Sequence, residues 1–250
     1  MTVRPSPTPP KADVVLAIRG ATKRFGDRPA LDGLDLSLRR GEVFALLGPN
    51  GAGKTTTVNL ILGFLKADAG SVRVCGIDAG TDPIGARRHV AYIPEQVALY
   101  PGLSGVENLR YFATLAGLDL AKETAVALLA EAGLGREAHR RPAGSYSKGM
   151  RQKVGIAVAL ARQARLLLLD EPTSGLDPSA AADFSVTVRA AADRGTAILM
   201  ATHDLYRVRE MADRVGVLSR GRIVEEIAPR TLDHVGLERL YMERLAGGAA

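Results

Sequence analysis

The sequence predicts an α/β fold: a parallel sheet covered by helices, with an antiparallel β layer before it and a helical block inserted into it. Three observations carry the prediction. The apolar run Val43-Phe-Ala-Leu-Leu47 passes into Gly48-Pro-Asn-Gly-Ala-Gly53-Lys54-Thr55 and then into an amphipathic stretch, Thr55–Leu65. That is a strand, a glycine-rich loop and a helix, in that order. The run Arg165-Leu-Leu-Leu-Leu-Asp170-Glu171 has the continuous apolar character of a strand buried on both faces. Ala197–Thr202 is a third such run, ending at His203.

Each element follows in chain order. Met1–Asp13 carries Pro5, Pro7, Pro9 and Pro10 with no apolar core, so it reads as a flexible tail and not as a secretion signal. Val14–Ile18 and Leu34–Leu38 have strand character, the second with clean alternation, and form the antiparallel layer. Val90–Ile93 is another short strand. From about Pro101 to Arg162 the chain turns helical. Ser104-Gly-Val-Glu107 is a capping box leading into Leu109, Phe112, Ala113 and Ala116. Ala121–Ala132 is a second helix stopped by Gly133, and Ser147 caps a third, Lys148–Arg162. Strands resume at Leu166–Leu169, Thr196–Ala201 and Val215–Leu218. Asp177-Pro178 starts a helix, and Leu205–Arg214 forms another. Ser219-Arg-Gly221 turns the chain into Arg222–Glu226, a terminal hairpin. Thr231–Leu245 has the pattern of a short amphipathic helix. The expected organisation is a tail (1–13), a catalytic domain (14–228) holding a helical subdomain at about 97–162, and a C-terminal helical extension (229–250).

The glycine-rich loop is the chemical centre. Gly51 and Gly53 let the backbone turn without Cβ clashes. The amides of such a loop point inward as a nest for phosphate oxygens, backed by a helix N-terminus. Lys54 supplies a point charge for the β- and γ-phosphates, and the Thr55 hydroxyl is a ligand for Mg²⁺. The segment expected to bind nucleotide is Asn50, Gly51, Ala52, Gly53, Lys54, Thr55 and Thr56. Asp170, at the end of the leucine strand, is placed to hold Mg²⁺, and Glu171 beside it to polarise the attacking water. Two adjacent acids at a buried strand end are costly without such a partner.

Composition excludes several classes. With 250 residues, 24% charged and 46% hydrophobic, the chain supports a full core and is not disordered. No apolar run approaches the ~18–20 residues that span a bilayer. The single cysteine, Cys75, reads as a small buried hydrophobe and fits a reducing compartment. His89, His139 and His234 lack metal-ligand spacing. Basic residues concentrate at Arg136–Arg141 and Arg207–Arg222 within a net charge of +6. No aromatic platform is interleaved with them, so nucleic acid is not expected as a partner.

Tyr146-Ser147-Lys148-Gly149-Met150-Arg151-Gln152 completes the set of motifs. Together with the phosphate loop and Asp170-Glu171, the chain from about Val14 to Ile227 resembles the ATP-binding subunit of an ATP-binding-cassette (ABC) transporter. The Tyr-Ser-Lys-Gly-Met segment lies where that family carries its signature, usually Leu-Ser-Gly-Gly-Gln. The form present here is familiar among partners of ABC-2-type membrane subunits. Thr173–Asp177 is similar to the family's D-loop, and Thr202-His203-Asp204 to its switch histidine.

The resemblance implies the ABC ATPase fold, ATP with Mg²⁺, and hydrolysis by Glu171, His203 and Lys54. It implies that Phe25 stacks on adenine, and that Ser147 and Gly149 of one copy meet the γ-phosphate bound to another, with Asp177 at that interface. Ser147 and Asp177 are also ordinary helix caps, and both readings stand. The family places a glutamine after the strand Val90–Ile93, on Mg²⁺. Here Glu95 falls at that position and Gln96 one step on; Gln96 is taken as the metal-side residue, with Glu95 its competitor. The expected partners are a separate integral membrane permease of ABC-2 type and a second ATP-binding subunit, identical or homologous. The expected location is the cytoplasmic face of the membrane, with export favoured. The alternative is a soluble ABC ATPase acting on ribosomes or nucleic acid.

Overall fold

The computed structural model describes residues 13–247, so the expected tail lies outside the described residues except for Asp13. The chain opens with two long strands, β1 (Val14–Phe25) and β2 (Arg28–Arg39), then β3 (Val43–Leu47) and α1 (Lys54–Ile61). Next come β4 (Ala69–Val74), β5 (Ile77–Asp78), α2 (Pro83–Arg87) and β6 (Val90–Ile93). Three helices follow: α3 (Gly105–Leu115), α4 (Lys122–Glu131) and α5 (Lys148–Ala161). The remainder alternates: β7 (Leu166–Asp170), α6 (Pro178–Asp193), β8 (Ala197–Thr202), α7 (Leu205–Met211), β9 (Arg214–Ser219), β10 (Arg222–Ile227) and α8 (His234–Gly247).

The central sheet has the order β10-β9-β3-β8-β7-β6. All neighbours are parallel except β9 and β10, which form the expected antiparallel hairpin. Its inner strands β3, β7 and β8 are almost wholly apolar because both faces are covered. Val43, Ala45 and Leu47 of β3, with Leu167, Leu169, Ile198 and Met200, face the core shared with α3 to α8. The alternate residues Phe44, Leu46, Leu166, Leu168, Ala197 and Leu199 face a second core. The two-residue period of a strand sorts one leucine run into two layers.

The second core is closed by an antiparallel sheet, ordered β2-β1-β4-β5. Leu16 and Ile18 of β1 and Leu34, Leu36 and Leu38 of β2 point inward against α1 and the central sheet. The antiparallel layer is as expected, but β1 and β2 are much longer than the alternation suggested, and β4 and β5 were not anticipated. Gly20 and Gly33 interrupt the apolar pattern, while cross-strand pairing continues with register shifts.

In the helical block, Ser104 and Glu107 form the expected capping box of α3, each bonding the other's backbone amide. Asn108 is fully buried there; its amide donates to the carbonyls of Tyr100, Leu103 and Ser104 and its Oδ1 accepts from Tyr100 N–H. It ties the entry loop to the helix.

Other boundaries shift for local reasons. The helix expected to Leu65 ends at Ile61, where Gly63 adopts φ 65° against Pro83. The helix expected to Arg214 ends at Met211, because Arg214 already belongs to β9. Helix α8 starts at His234, after a short 3₁₀ turn at Pro229–Thr231. Cys75 departs from the buried position expected: it sits half-buried in the β4–β5 turn with φ 49°, packed against the edge of the second core. No helix among the described residues is long and apolar enough to cross a membrane.

Candidate functional site

The central sheet delivers its chemistry at one end. Strands β3, β7 and β8 all finish there, leading into the glycine-rich loop, Asp170-Glu171 and Thr202-His203 respectively. In a parallel sheet this carboxyl end is the ligand end. Gly51 and Gly53 have φ of 81° and 115°, conformations side chains resist. A Cβ on Gly53 would lie 2.6 Å from the Ala30 carbonyl. The loop is therefore held against β2, and its turn delivers the chain into the first residue of α1, Lys54.

Lys54 is 7% exposed. A buried ammonium needs partners. Its Nζ donates to Gly48 O at 2.5 Å and Pro49 O at 3.3 Å, and lies 3.5 Å from Glu171 Oε1. Glu171 is the hub of the cluster. Its Oε2 accepts from Thr202 Oγ1 at 3.1 Å and lies 2.9 Å from His203 Nδ1. The backbone at Glu171 is left-handed, φ 45°, strained for a non-glycine residue, and its N–H is anchored to Ala201 O at 2.8 Å. The strain aims the carboxylate across β8 at Lys54 and His203. The sequence pairs Glu171 with His203 and names Thr202 only as part of Thr202-His203-Asp204, without a role; its place at the end of β8 is the available signal.

Asp170 lies beside this hub. Burial pushes its carboxyl above the usual range; Tyr92 Oη, donating at 3.2 Å, opposes this, while the charge of Glu171 adds to the push and Lys54 counters it. Tyr92 is itself pushed up to about 12, first by burial and then by Asp170. Sequence reasoning had not singled out Tyr92; its mark is a polar tip on the β6 strand, where Val90, Ala91 and Ile93 are buried.

Glu95 is the member of the Glu95-Gln96 pair with contacts into the site. It accepts from Ser174 Oγ at 3.1 Å, lies 3.6 Å from Lys148 Nζ, and its charge reaches Asp170. Lys148 also donates to Ser174 O at 2.6 Å. This Glu95–Lys148–Ser174 link joins three segments that the sequence treats separately. Gln152, also unanticipated and fully buried, donates to Pro172 O.

The remaining expected residues occupy the margins. Ser147 caps α5, accepting from Met150 N–H at 3.3 Å, and its side chain is exposed. Gly149 packs near Leu176 and Ala180. Asp177 caps α6, accepting from Ala180 N–H at 2.9 Å. Phe25 ends β1, is 53% exposed, and has Lys23 Nζ 5.9 Å from its ring. Thr55 lies exposed at the start of α1, while Ala52 and Gly53 are buried in the loop.

The donor set suits Mg²⁺. A carboxylate that burial disfavours as an anion gains from a nearby cation. No group of three or more His, Cys, Asp or Glu among the described residues forms a metal cage. Mg²⁺ is commonly held by one or two protein oxygens plus phosphates and water, which needs no cage.

The family model described as ABC transporter matches residues 31–174. The ABC transporter ATP-binding protein YdbJ of Bacillus subtilis is 39% identical over 89% of this chain and 72% of its own length. The daunorubicin resistance ATP-binding protein DrrA3 of Streptomyces coeruleorubidus is 39% identical over 86% of this chain and 68% of its own. The Nod factor export ATP-binding protein I of Ralstonia nicotianae is 36% identical over 87% and 68%. A solved ATP-binding subunit of an ABC transporter superposes with TM-score 0.78 at 31% identity, over 92% of this chain and 99% of that one. An ATP-binding cassette solved as a dimer with ADP and phosphate, in a post-hydrolysis state, gives 0.74 at 25% identity, over 86% and 99%. With its phosphate loop, its acid-ended strand and its cassette fold, the chain belongs to the ABC transporter ATP-binding family, as an ATP-binding and ATP-hydrolysing subunit.

Proposed function

We propose that this subunit drives export through a separate ABC-2-type membrane subunit, working as a pair that closes on two ATP molecules. One observation carries the chemistry: Lys54, Glu171, Thr202 and His203 converge around the mouth of the phosphate loop. The γ-phosphate takes the place of the Gly48 and Pro49 carbonyls on Lys54, since its oxygens are the stronger partners. Thr55 and Asp170 would hold Mg²⁺, with Gln96 or Glu95 alongside; when bound, the ion neutralises charge on the phosphoryl oxygens. Glu171 accepts a proton from the attacking water, and His203 and Thr202 hold its carboxylate in line. The water oxygen bonds to the γ-phosphorus, the bond to the bridging oxygen breaks, and ADP and phosphate leave. Phe25, exposed at the end of β1, offers a face for adenine.

Ser147 and Gly149 present the start of α5 to the γ-phosphate held by the other copy. The exposure of Ser147 supports this, as do the dimeric relative and the Tyr-Ser-Lys-Gly-Met segment. The block at about 97–162 docks the membrane subunit, on a surface that includes the ring cluster of Tyr100, Tyr111 and Phe112 with exposed Leu115. The subunit then resides at the cytoplasmic face of the membrane. Export is supported by the relative named for Nod factor export.

The test is affinity capture of the tagged protein from detergent-solubilised membranes, with ATPase measured on what co-purifies. A stoichiometric multi-span partner that changes the turnover supports the proposal. Recovery with ribosomes or nucleic acid instead overturns the transport assignment and leaves the ATP chemistry standing. Ser147→Arg is expected to keep monomeric nucleotide binding and abolish ATP-driven dimerisation; normal dimerisation by light scattering would remove the cross-subunit role.

A further inference from the structure

A groove of about 1050 Å³ opens at the end of the central sheet opposite the phosphate loop. Arg165 and Thr196, which line it, immediately precede β7 and β8, whose far ends carry Asp170 and Thr202. The five-residue strand β7 separates the two regions by about 16 Å at roughly 3.3 Å per residue.

The floor of the groove is made of small residues on the outer face of the antiparallel sheet. Ser37, Ala17 and Arg73 form one cross-strand row, and Arg19 and Ser71 the next. Arginines stand around it: Arg19 and Arg73 rise from the sheet, Arg40 from the β2–β3 turn, Arg165 and Arg194 from the opposite wall. Gly195, with φ 96°, leaves the space that the Arg40 guanidinium occupies; an ideal Cβ there would lie 2.5 Å from Arg40 Nε.

The charges do not cancel. Arg194 pairs with Glu131 at 3.1 Å, and Arg73 loosely with Asp78 at 3.8 Å. Asp13 is the single acid in the lining. Among the described residues no acid pairs with Arg19, Arg40 or Arg165. Residues 1–12 contain no Asp or Glu. Elsewhere in the protein several arginines are paired with acids, for example Arg214 with Glu42 and Glu226, and Arg222 with Asp32. Counting Glu131, Asp78 and Asp13 against the five arginines leaves a surplus of two positive charges.

We propose that this groove is a second anion site, built for a small oligophosphate. Guanidinium forks match phosphate oxygens in bidentate geometry. The Ser37 and Ser71 hydroxyls add donors on the floor, and the small side chains let the anion sit between the arginines. The lining contains no aromatic ring, so it offers no platform for a nucleobase. The volume falls at the upper end for small-ligand sites and is open enough for several phosphoryl groups. Cys75 also lines the groove, close enough for the charge of Arg165 to act on its thiol. It is the chain's single cysteine, so it reports on this site alone.

The experiment uses tripolyphosphate as the probe on the full chain carrying Lys54→Ala, which weakens binding at the nucleotide loop. Calorimetry is expected to show one saturable site. Occupancy should slow alkylation of Cys75 by a neutral maleimide. Adding Arg19→Ala, Arg40→Ala and Arg165→Ala together should weaken binding about tenfold per guanidinium, the scale of charge-assisted hydrogen bonds, and restore the alkylation rate. The three side chains are exposed, so the melting temperature without ligand should not move. Absence of saturable binding in Lys54→Ala, or equal affinity after the three replacements, overturns the site. Arginine-dependent binding of a polyglutamate peptide without binding of tripolyphosphate overturns the oligophosphate assignment in favour of an acidic protein segment. Vesicles of phosphatidylcholine with 20% phosphatidylglycerol form the last arm, and arginine-dependent capture by them alone overturns the free anion in favour of a membrane surface. These readouts are independent of transport and of the membrane subunit.

Discussion

The cluster at the carboxyl end of the central sheet and the groove at its amino end handle charge in opposite ways. At the carboxyl end of β3, β7 and β8 the charged groups are cross-linked: Lys54 to Glu171, Glu171 to His203, and Glu95 to Lys148. At the amino end, Arg19, Arg40 and Arg165 stand around a groove without an acid partner among the described residues. A cross-linked set is held in one geometry, as chemistry requires. An unpartnered set keeps its hydrogen-bonding capacity for something that arrives from solution. The difference teaches that charge density alone does not identify a reaction centre; the connectivity of the charges does.

The comparison is broken most sharply at the hub. Glu171→Gln is expected to lower ATP turnover by roughly 10²–10⁴-fold, the range for loss of a general base, with ATP binding retained. Brisk hydrolysis by this variant would show that the hub is scaffolding. Gly53→Ala comes next. Its φ of 115° and the Ala30 carbonyl leave no room for a methyl group, so the loop must shift at a cost of order 1–3 kcal/mol. Calorimetry should record weakened ATP binding together with a lower melting temperature.

Tyr92→Phe is a finer probe of the same end. The Tyr92 hydroxyl donates to the Asp170 carboxylate and so favours its charged form against burial. Removing it raises the pKa of Asp170 further, and the acid limb of the ATPase pH profile should move to higher pH. A shift toward lower pH, or none, would mean that Asp170 does not set that limb. The smallest effect is expected at the opposite end: Arg165→Ala should change turnover by less than about twofold, because Arg165 is separated from Asp170 by the length of β7. A large loss of turnover would couple the two ends.

Much of the catalytic end was legible because its parts are contiguous. The phosphate loop, Asp170-Glu171 and Thr202-His203 each follow an apolar strand, and a strand buried on both faces announces itself as an unbroken apolar run. The helix caps at Ser104, Ser147 and Asp177 were legible for the same reason, since a cap and its helix are neighbours in sequence. Less visible were contacts between distant segments. Tyr92 meets Asp170 across the β6–β7 pair, and Glu95 meets Ser174 in another loop and Lys148 at the start of α5. The short strands β4 and β5 lack a strong apolar pattern because one face of their sheet is open to solvent.

The basic residues mark the boundary between what sequence and tertiary structure decide. In the sequence, attention falls on runs, such as Arg207–Arg222. Folding pairs three of the five arginines of that run with acids: Arg207 with Glu210, Arg214 with Glu42 and Glu226, and Arg222 with Asp32. Arg19, Arg40, Arg73, Arg165 and Arg194 form no run, yet sheet register and three connections bring them around one groove. The sequence by itself determined the family and the phosphate loop and pointed to Lys54, Glu171 and His203, because local spacing and strand-length patterns mark them. Only the tertiary structure decided which charges are neutralised and which are left to bind, because pairing depends on distances across the sheet that chain order does not contain.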